Sequence, residues 1–214
     1  KEKGALKTLS TQEGYATYVL PGDVGGRYSV LTAVGLFPLA AAGIDVKAML
    51  KGAAKARELY DNPCLKCNPC YQYAVTRDYM YRHNKPVEMF VTYEPQYSQI
   101  SEWCKQLFGE SEGKEKKGLL PGSVTFSTDL HSMGQFIQDG SPILFETIIN
   151  VKEPRYNISI PHDDEDLDGL NYLEGKKLSF VNESQLDKKL LLIEVTAELH
   201  SFNVNDVINE ALVI

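Results

Sequence analysis

Three short stretches of the chain contain side chains that could carry out acid–base chemistry. They are "GGRYS" (25–29), "FGESEGK" (108–114) and "TDLHS" (128–132). The first holds the guanidinium of Arg27, the second the carboxylates of Glu110 and Glu112, and the third the imidazole of His131. A positioned carboxylate or imidazole can transfer a proton, and a guanidinium can stabilise an anion. The same residue types also occur as solvated helix ends, surface ion pairs and turn glycines, so composition and spacing leave both interpretations open.

The hydrophobic pattern predicts strands that alternate with helices. Runs rich in β-branched and aromatic residues predict strands at 15–21, 86–95, 123–127, 156–161 and 189–199. Apolar stripes at helical spacing predict helices at 45–60, 70–83, 97–109 and 127–140. This alternation implies crossover connections, and we predict an α/β fold with a mostly parallel sheet. Ligands bind beyond the carboxyl ends of the strands in such sheets, so we expect the three reactive stretches there.

Composition excludes several classes of partner. The formal net charge of −7 argues against binding to nucleic acid, whose partners are usually basic. The longest apolar run, "VLTAVGLFPLAAAG" (30–43), is shorter than the roughly 18 residues that a membrane span needs, and we interpret it as a buried helix. No secretory signal is visible at the N-terminus, so we expect a cytoplasmic protein and no membrane partner. The opening "KEKGALKTLSTQEG" lacks a start methionine and suggests a fragment.

The cysteines have a spacing that could bind a metal or a cluster. Cys64, Cys67 and Cys70 form "CLKCNPC", but a ferredoxin has a fourth cysteine after three intervening residues, and the residue that follows Tyr73 at that position is Ala74. A second C-x2-C pair for a zinc site is also absent from the sequence. We therefore favour free thiols over a metal site, with Cys104 on a buried helix face.

Four long motifs resemble those of the glucose-6-phosphate isomerase (phosphoglucose isomerase) family. They are "DVGGRYSVLTAVGLFPLAAAG" (23–43), "YEP…SEWCKQLFGESEGK" (93–114), "TFSTDLHSMGQFIQDG" (125–140) and "DLDGLNYLEGKKLSFVN" (166–182). The last looks like the bacterial form of the family. The resemblance extends from about residue 1 to 182, and more weakly to 200. Four motifs in the family's order are far more specific than a single Gly-Gly-Arg.

The resemblance implies a fold and an activity. The fold would be the sugar isomerase (SIS) fold, a three-layer sandwich with a parallel sheet between helices, and residues 1–214 would form the second such subdomain of a longer enzyme. The family interconverts glucose 6-phosphate and fructose 6-phosphate in glycolysis and gluconeogenesis, as an intramolecular oxidoreductase. It opens the sugar ring and moves a proton between C2 and C1 through a cis-enediol. It needs no metal and no nucleotide cofactor.

The resemblance also assigns roles to individual residues. Glu110 matches the base, for which a partly desolvated carboxylate is suited. Arg27 matches the arginine that stabilises the enediolate, and His131 the histidine of ring opening, which in the family reaches the neighbouring subunit and implies a homodimer. Gln106 matches a substrate-contacting glutamine, and Gly26 lets the backbone approach the sugar. Glu112 falls at a variable position of the family, and we interpret it as solvated.

The chain departs from the family in two respects. The family's phosphate-binding Ser/Thr cluster belongs to the first subdomain, and its C-terminal lysine has no counterpart because residues 183–214 depart from the family pattern. We therefore expect the isolated chain to be inactive or nearly so. Two alternatives stay open, namely another SIS-fold sugar-phosphate isomerase and a sugar-phosphate-binding SIS module without catalytic activity.

Overall fold

The computed structural model describes residues 3–151, 154, 156–186 and 192–194. The chain divides into two compact units, Lys1–Tyr71 and Gln72–Ile214. The expectation of a single domain over 1–214 stays a prediction.

The first unit is helical. It contains α1 (Ala5–Gln12), α2 (Ala33–Ala41), α3 (Val46–Tyr60) and a single 3-10 turn at Gly26–Tyr28. Asp45 caps α3 as predicted, since its Oδ1 accepts hydrogen bonds from the backbone N–H groups of Lys47 (3.0 Å) and Ala48 (2.9 Å).

Two predictions for the first unit need correction. The strand predicted at 15–21 is wrong, because the segment is irregular and no described strand pairs with it. Its aromatic and β-branched residues favour a strand only where a neighbour supplies the hydrogen bonds. The run 30–43 does form a helix, α2, but none of the residues of α2 is buried in the part of the chain that the structure describes.

A parallel sheet organises the second unit. Its strands are β1 (Val87–Thr92), β2 (Leu120–Thr125), β3 (Leu144–Ile149) and β4 (Leu192–Glu194), in the spatial order β2-β1-β3-β4, and all the described pairs are parallel. The predicted α/β fold with a parallel sheet is therefore confirmed. Within the described residues β2 is an edge strand. It begins with Leu120, whose N–H donates to Pro86 O of the neighbouring chain segment (2.8 Å), and continues with Pro121.

Helices cover both faces of the sheet. On one face lie α4 (Pro69–Arg82) and α5 (Ser98–Glu112), where the Phe108 ring stacks on Phe90 of β1 with centroids 5.7 Å apart. On the other face lies α6 (Leu130–Asp139). Its apolar side chains pack on a buried cluster from β1, β2 and β3, which includes Met89, Val124 and Ile148. This arrangement confirms the three layers.

The later part of the chain differs from the pattern-based prediction. β3 lies in a stretch for which no strand is predicted, and 156–161 forms only an isolated bridge, Ser159 to Lys177, instead of a strand. Most of 189–199 lies outside the described residues, apart from β4. Between these stretches come a 3-10 turn at Asn171–Leu173 and the helix α7 (Leu178–Leu186). Within the described ranges, none of the helices combines the length and the apolar character that a membrane crossing requires.

Candidate functional site

The candidate base lies on the last turn of α5. Glu110 is exposed there, and its Oε1 accepts a hydrogen bond of 3.4 Å from Nε2 of Gln106. The two residues are four positions apart and therefore share one face of the helix. The carboxylate that the sequence singles out thus has its predicted substrate-contacting partner, Gln106, directly beside it.

Glu110 lies near the amino edge of the sheet. α5 starts after β1 ends and finishes before β2 begins, so it runs antiparallel to the strands. Its end lies beside the first residues of β2, where a Cβ added at Gly109 would be 3.4 Å from Pro121. The expectation that "FGESEGK" lies beyond the carboxyl ends of the strands is therefore wrong, because α5 carries it back to the opposite edge.

His131 lies at the carboxyl edge of the same sheet. It is the second residue of α6 and is exposed. The turn before it is held by Asp129, whose Oδ2 accepts from Thr125 N (2.6 Å) and whose N–H donates to Thr125 O (2.9 Å). Since β2 has six residues, it separates the two edges by about 20 Å. The structure thus does not bring His131 to Glu110 within one copy of the chain.

Arg27 and Gly26 belong to the first unit. Both lie in the 3-10 turn, where Ser29 Oγ donates to Gly26 O (2.7 Å) and the Arg27 guanidinium carbon is 5.0 Å from the centroid of the Tyr28 ring. Arg27 is half-buried, whereas Gly26 is exposed, and a Cβ added at Gly26 would meet no atom within 4 Å. The local space at Gly26 is therefore open. The roles assigned to Arg27 and Gly26 stay predictions.

Glu112 is not a solvated residue. Its two carboxylate oxygens accept hydrogen bonds from both terminal nitrogens of Arg77 on α4, at 2.6 and 3.0 Å, and its side chain is 34% exposed. The sequence contains a signal for this position. Glu112 follows Phe108 by four residues and so continues the apolar stripe of α5 that faces the sheet. The prediction ended this helix at 109, and therefore missed that the next turn also faces inward.

Arg77 connects Glu112 to a buried carboxylate on β1. Its Nε donates to Oε2 of Glu88 (2.7 Å), and the Glu88 side chain is fully buried. Glu88 also accepts hydrogen bonds from Tyr73 and from Thr147 Oγ1 of β3 (2.8 Å for Thr147). Every oxygen of this carboxylate is thus paired, as a buried charge requires.

Electrostatics in this network favour the charged guanidinium. Burial lowers the pKa of Arg77, but the hydrogen bonds to Glu112 and Glu88 and the charge of Glu88 outweigh burial and raise that pKa above its usual value. Burial, followed by the charge of Glu88, raises the pKa of Tyr73 well above its usual range. The Arg77 guanidinium carbon also lies 4.0 Å from the centroid of the Phe108 ring on α5. Three contacts to α5 and β1 therefore fix one side chain of α4.

A small polar recess lies beyond the carboxyl ends of β1 and β3, where the strand order reverses. Its volume is about 260 Å³, including the open mouth, and it is lined by Tyr93, Glu94, Ile149, Asn150, Val151, Ser179 and Asn182. Such a reversal is the usual ligand position in open α/β sheets. Four of these residues, Tyr93, Glu94, Ser179 and Asn182, lie in two of the family-like motifs, but the sequence assigns them no role.

One carboxylate on β3, that of Glu146, is almost completely buried. Glu146 is 1% exposed, and neither of its oxygens has a hydrogen-bond partner among the described residues. Burial raises the pKa of Glu146 to about 7. Burial, followed by the charge of Glu146, raises the pKa of nearby Tyr93 to about 12. The prediction missed Glu146 because it lies in β3, where no strand was expected.

The cysteines differ from the expected free thiols. Cys64 and Cys67 form a disulfide, because the turn between α3 and α4 brings their Cα atoms to 5.2 Å, within the range for such a bond. Cys70 is an exposed free thiol, and Cys104 is half-buried on α5. Among the described residues, no group of three or more His, Cys, Asp or Glu side chains is arranged to hold a metal ion.

Curated proteins with similar sequences carry the same name, glucose-6-phosphate isomerase. The family model described as phosphoglucose isomerase matches residues 15–154. A glucose-6-phosphate isomerase of Clostridioides difficile (strain 630) is 61% identical over 189 residues, which cover 88% of this chain and 42% of the relative. A glucose-6-phosphate isomerase of Acetivibrio thermocellus is 56% identical over 191 residues, which cover 89% of this chain and 43% of the relative. The chain thus spans less than half the length of these curated relatives.

A solved structure shares the fold of this chain. The crystal structure of a hypothetical protein from Thermus thermophilus superposes with a TM-score of 0.76 at 30% sequence identity, over 86% of this chain and 44% of that chain. The family match, the parallel sheet and the identity to named relatives agree, and this chain belongs to the phosphoglucose isomerase family.

Proposed function

We propose that the protein containing this chain interconverts glucose 6-phosphate and fructose 6-phosphate. The observation that carries the proposal is the family match over residues 15–154, which includes Glu110 on an accessible helix end beside Gln106. The reaction moves a proton between C2 and C1 through a cis-enediol, in glycolysis and gluconeogenesis in the cytoplasm. The proposal needs no metal or nucleotide cofactor.

Each candidate residue has a role that suits its chemistry. Glu110 removes the proton from the carbon next to the carbonyl, and the guanidinium of Arg27 stabilises the negative oxygen of the enediolate. Gln106 contacts the sugar beside Glu110. Gly26 leaves room for the substrate, because the space where its Cβ would lie is empty.

His131 acts in the site of a neighbouring subunit, so we propose a homodimer. An imidazole can donate or accept a proton near neutral pH, as ring opening requires. The position of His131 at the other edge of the sheet from Glu110 supports this role in a second copy.

The isolated chain is expected to be inactive or nearly so. The phosphate group of the substrate supplies binding energy that orients the reacting carbons, and a chain that lacks the phosphate contacts loses that energy. Turnover by the 214 residues alone at the rate of a complete relative would contradict this expectation.

Replacing the proposed base tests the function. In the intact protein that contains this chain, Glu110→Gln should lower kcat about 100-fold to 10,000-fold, because an amide cannot accept the proton. Circular dichroism should show an unchanged fold. Glu115→Gln is the matched control, since Glu115 is exposed in the loop after α5 and should leave kcat unchanged.

The same experiment separates the enzyme from a binding module. A module that only binds a sugar phosphate would show no turnover in the wild-type protein and equal affinity in the Glu110→Gln variant. An isomerase of another sugar phosphate would turn over its own substrate but neither hexose phosphate named above.

A further inference from the structure

We propose that Arg77 is a positioning residue for the isomerase, because its guanidinium fixes the rotation of the helix end that carries Glu110. This inference rests on the proposed function of Glu110. It adds a residue that lies on another helix and has no place among the motif residues described above.

The Arg77 guanidinium links the end of α5 to the centre of the sheet. Its two terminal nitrogens bind Glu112, and its Nε binds Glu88 on β1. Both ion pairs are short, and the side chain of Arg77 is only 7% exposed. A two-nitrogen contact fixes direction as well as distance, which a lysine ammonium cannot do.

Glu112 is two residues beyond Glu110, so the two side chains point about 200° apart around the helix axis. When Arg77 draws Glu112 towards the sheet, the Glu110 carboxylate is turned to the outer face, beside Gln106. A rotation of this turn would move both residues together. The ion pair on the inner face therefore determines where the carboxylate on the outer face lies.

Two glycines make the last turn of α5 prone to fraying, so its position depends on contacts such as the ion pair of Glu112. Gly109 and Gly113 lie on either side of Glu110, and Gly113 closes the helix through a single hydrogen bond to Gly109 O (3.0 Å). Helix ends fray readily, and glycine increases that tendency. A catalytic group misplaced by about 1 Å can lose on the order of 100-fold in rate.

The test measures kcat and KM of variants of the intact protein that contains this chain. Glu112→Gln removes the charge of one partner while Glu88 still holds Arg77, and kcat should fall about tenfold with KM unchanged. Arg77→Met should lower kcat about 100-fold, and Arg77→Lys should recover only part of that loss. Arg82→Met is the matched control, because Arg82 on the same helix binds only Asp78 in an exposed pair in the described residues, and its kcat should equal that of the wild type.

A second measurement separates positioning from simple stability. Hydrogen exchange of the amides from 109 to 114 should become faster in Glu112→Gln at a temperature where the rest of the sheet is still protected. If Glu112→Gln and Arg77→Lys lower the melting temperature but leave both kcat and this local exchange unchanged, the role of Arg77 is purely structural and the inference is wrong.

The two proposals can fail separately. A wild-type protein without isomerase activity on either hexose phosphate would refute the proposed function. The exchange measurement would then still show whether Arg77 holds the end of α5.

Discussion

Glu110 and His131 lie at opposite edges of the same parallel sheet, one at the end of α5 and the other at the start of α6. The six residues of β2 between these helices span about 20 Å, which is far longer than the reach of either side chain. If both residues act on one substrate molecule, they must come from two copies of the chain. This relationship leads directly to an experiment on mixed subunits.

We expect Glu110→Gln and His131→Ala subunits of the intact protein to complement each other. A mixed dimer would contain one site with both substitutions and one site with both native residues. Random mixing in equal amounts should therefore restore about a quarter of the wild-type activity, although each variant alone is nearly inactive. The measurement is isomerase activity after the two variants are dissociated and reassociated together. Activity that stays at the level of the single variants would place both residues in the site of one subunit.

Arg77→Met should strongly destabilise the second unit. The substitution leaves the fully buried carboxylate of Glu88 without its cation, and breaking a buried pair costs about 3–5 kcal/mol. Urea unfolding of the chain followed by Trp103 fluorescence would measure this loss, since Trp103 lies on α5 and is the one tryptophan of the sequence.

Two further variants make this stability measurement specific. The double variant Arg77→Met with Glu88→Gln should regain part of the lost stability, because no unpaired charge remains. Arg82→Met should change the free energy of unfolding by less than about 1 kcal/mol, since Arg82 is in an exposed pair. Equal effects of Arg77→Met and Arg82→Met would contradict the importance of the buried network.

Glu146 should make the second unit less stable as pH rises. Its pKa is about 7 in the folded chain and near the ordinary 4.5 in the unfolded chain, so the unfolded state releases its proton first. The folded state therefore loses stability between pH 4.5 and 7, by about 3 kcal/mol in total, and the loss is complete above that range.

The comparison with Glu146→Gln isolates this contribution, because glutamine does not ionise. The stability of the variant relative to the wild type should rise from about pH 5 to about pH 8 in urea unfolding. Asp139→Asn, which replaces an exposed carboxylate, serves as the control and should follow the wild-type curve. Parallel curves for Glu146→Gln and the wild type would show that Glu146 titrates normally.

The cysteines should differ in their reaction with an alkylating agent. Without a reductant, Cys70 should be labelled about tenfold faster than Cys104, because Cys70 is exposed whereas burial raises the pKa of the Cys104 thiol. Cys64 and Cys67 should react only after reduction of their disulfide. Peptide mass spectrometry can follow all four sites, with Cys70→Ser as the control. Labelling of Cys64 and Cys67 in the unreduced protein would show that they are free thiols.

The sequence predicts elements best where the local pattern and the final packing agree. The stripe of α5 and the cap at Asp45 are both short-range signals, and both are confirmed. The segment 15–21 has the composition of a strand but no described partner strand, so propensity alone was misleading. β3 was missed, although it is the strand in which Glu146 is buried.

The sequence predicts those contacts of the site that join residues close together in the chain, and it misses those that join distant residues. A motif can place Glu110 and Gln106 four residues apart on one helix, and the structure shows them in contact. The pair of Arg77 and Glu112 is separated by 35 positions and forms only when α4 and α5 pack on the same face of the sheet. Local patterns do not contain that information.

Proline at position 121 limits the pairing of β2 with strands of other molecules. The N–H of Leu120 points to the β1 side, so the nitrogen of Pro121, one residue later, points away from the sheet. That outward nitrogen has no hydrogen to donate. A strand from another molecule that paired with this edge would therefore lack one backbone hydrogen bond. The edge strand that follows Glu110 along the chain is thus poorly suited to seed aggregation.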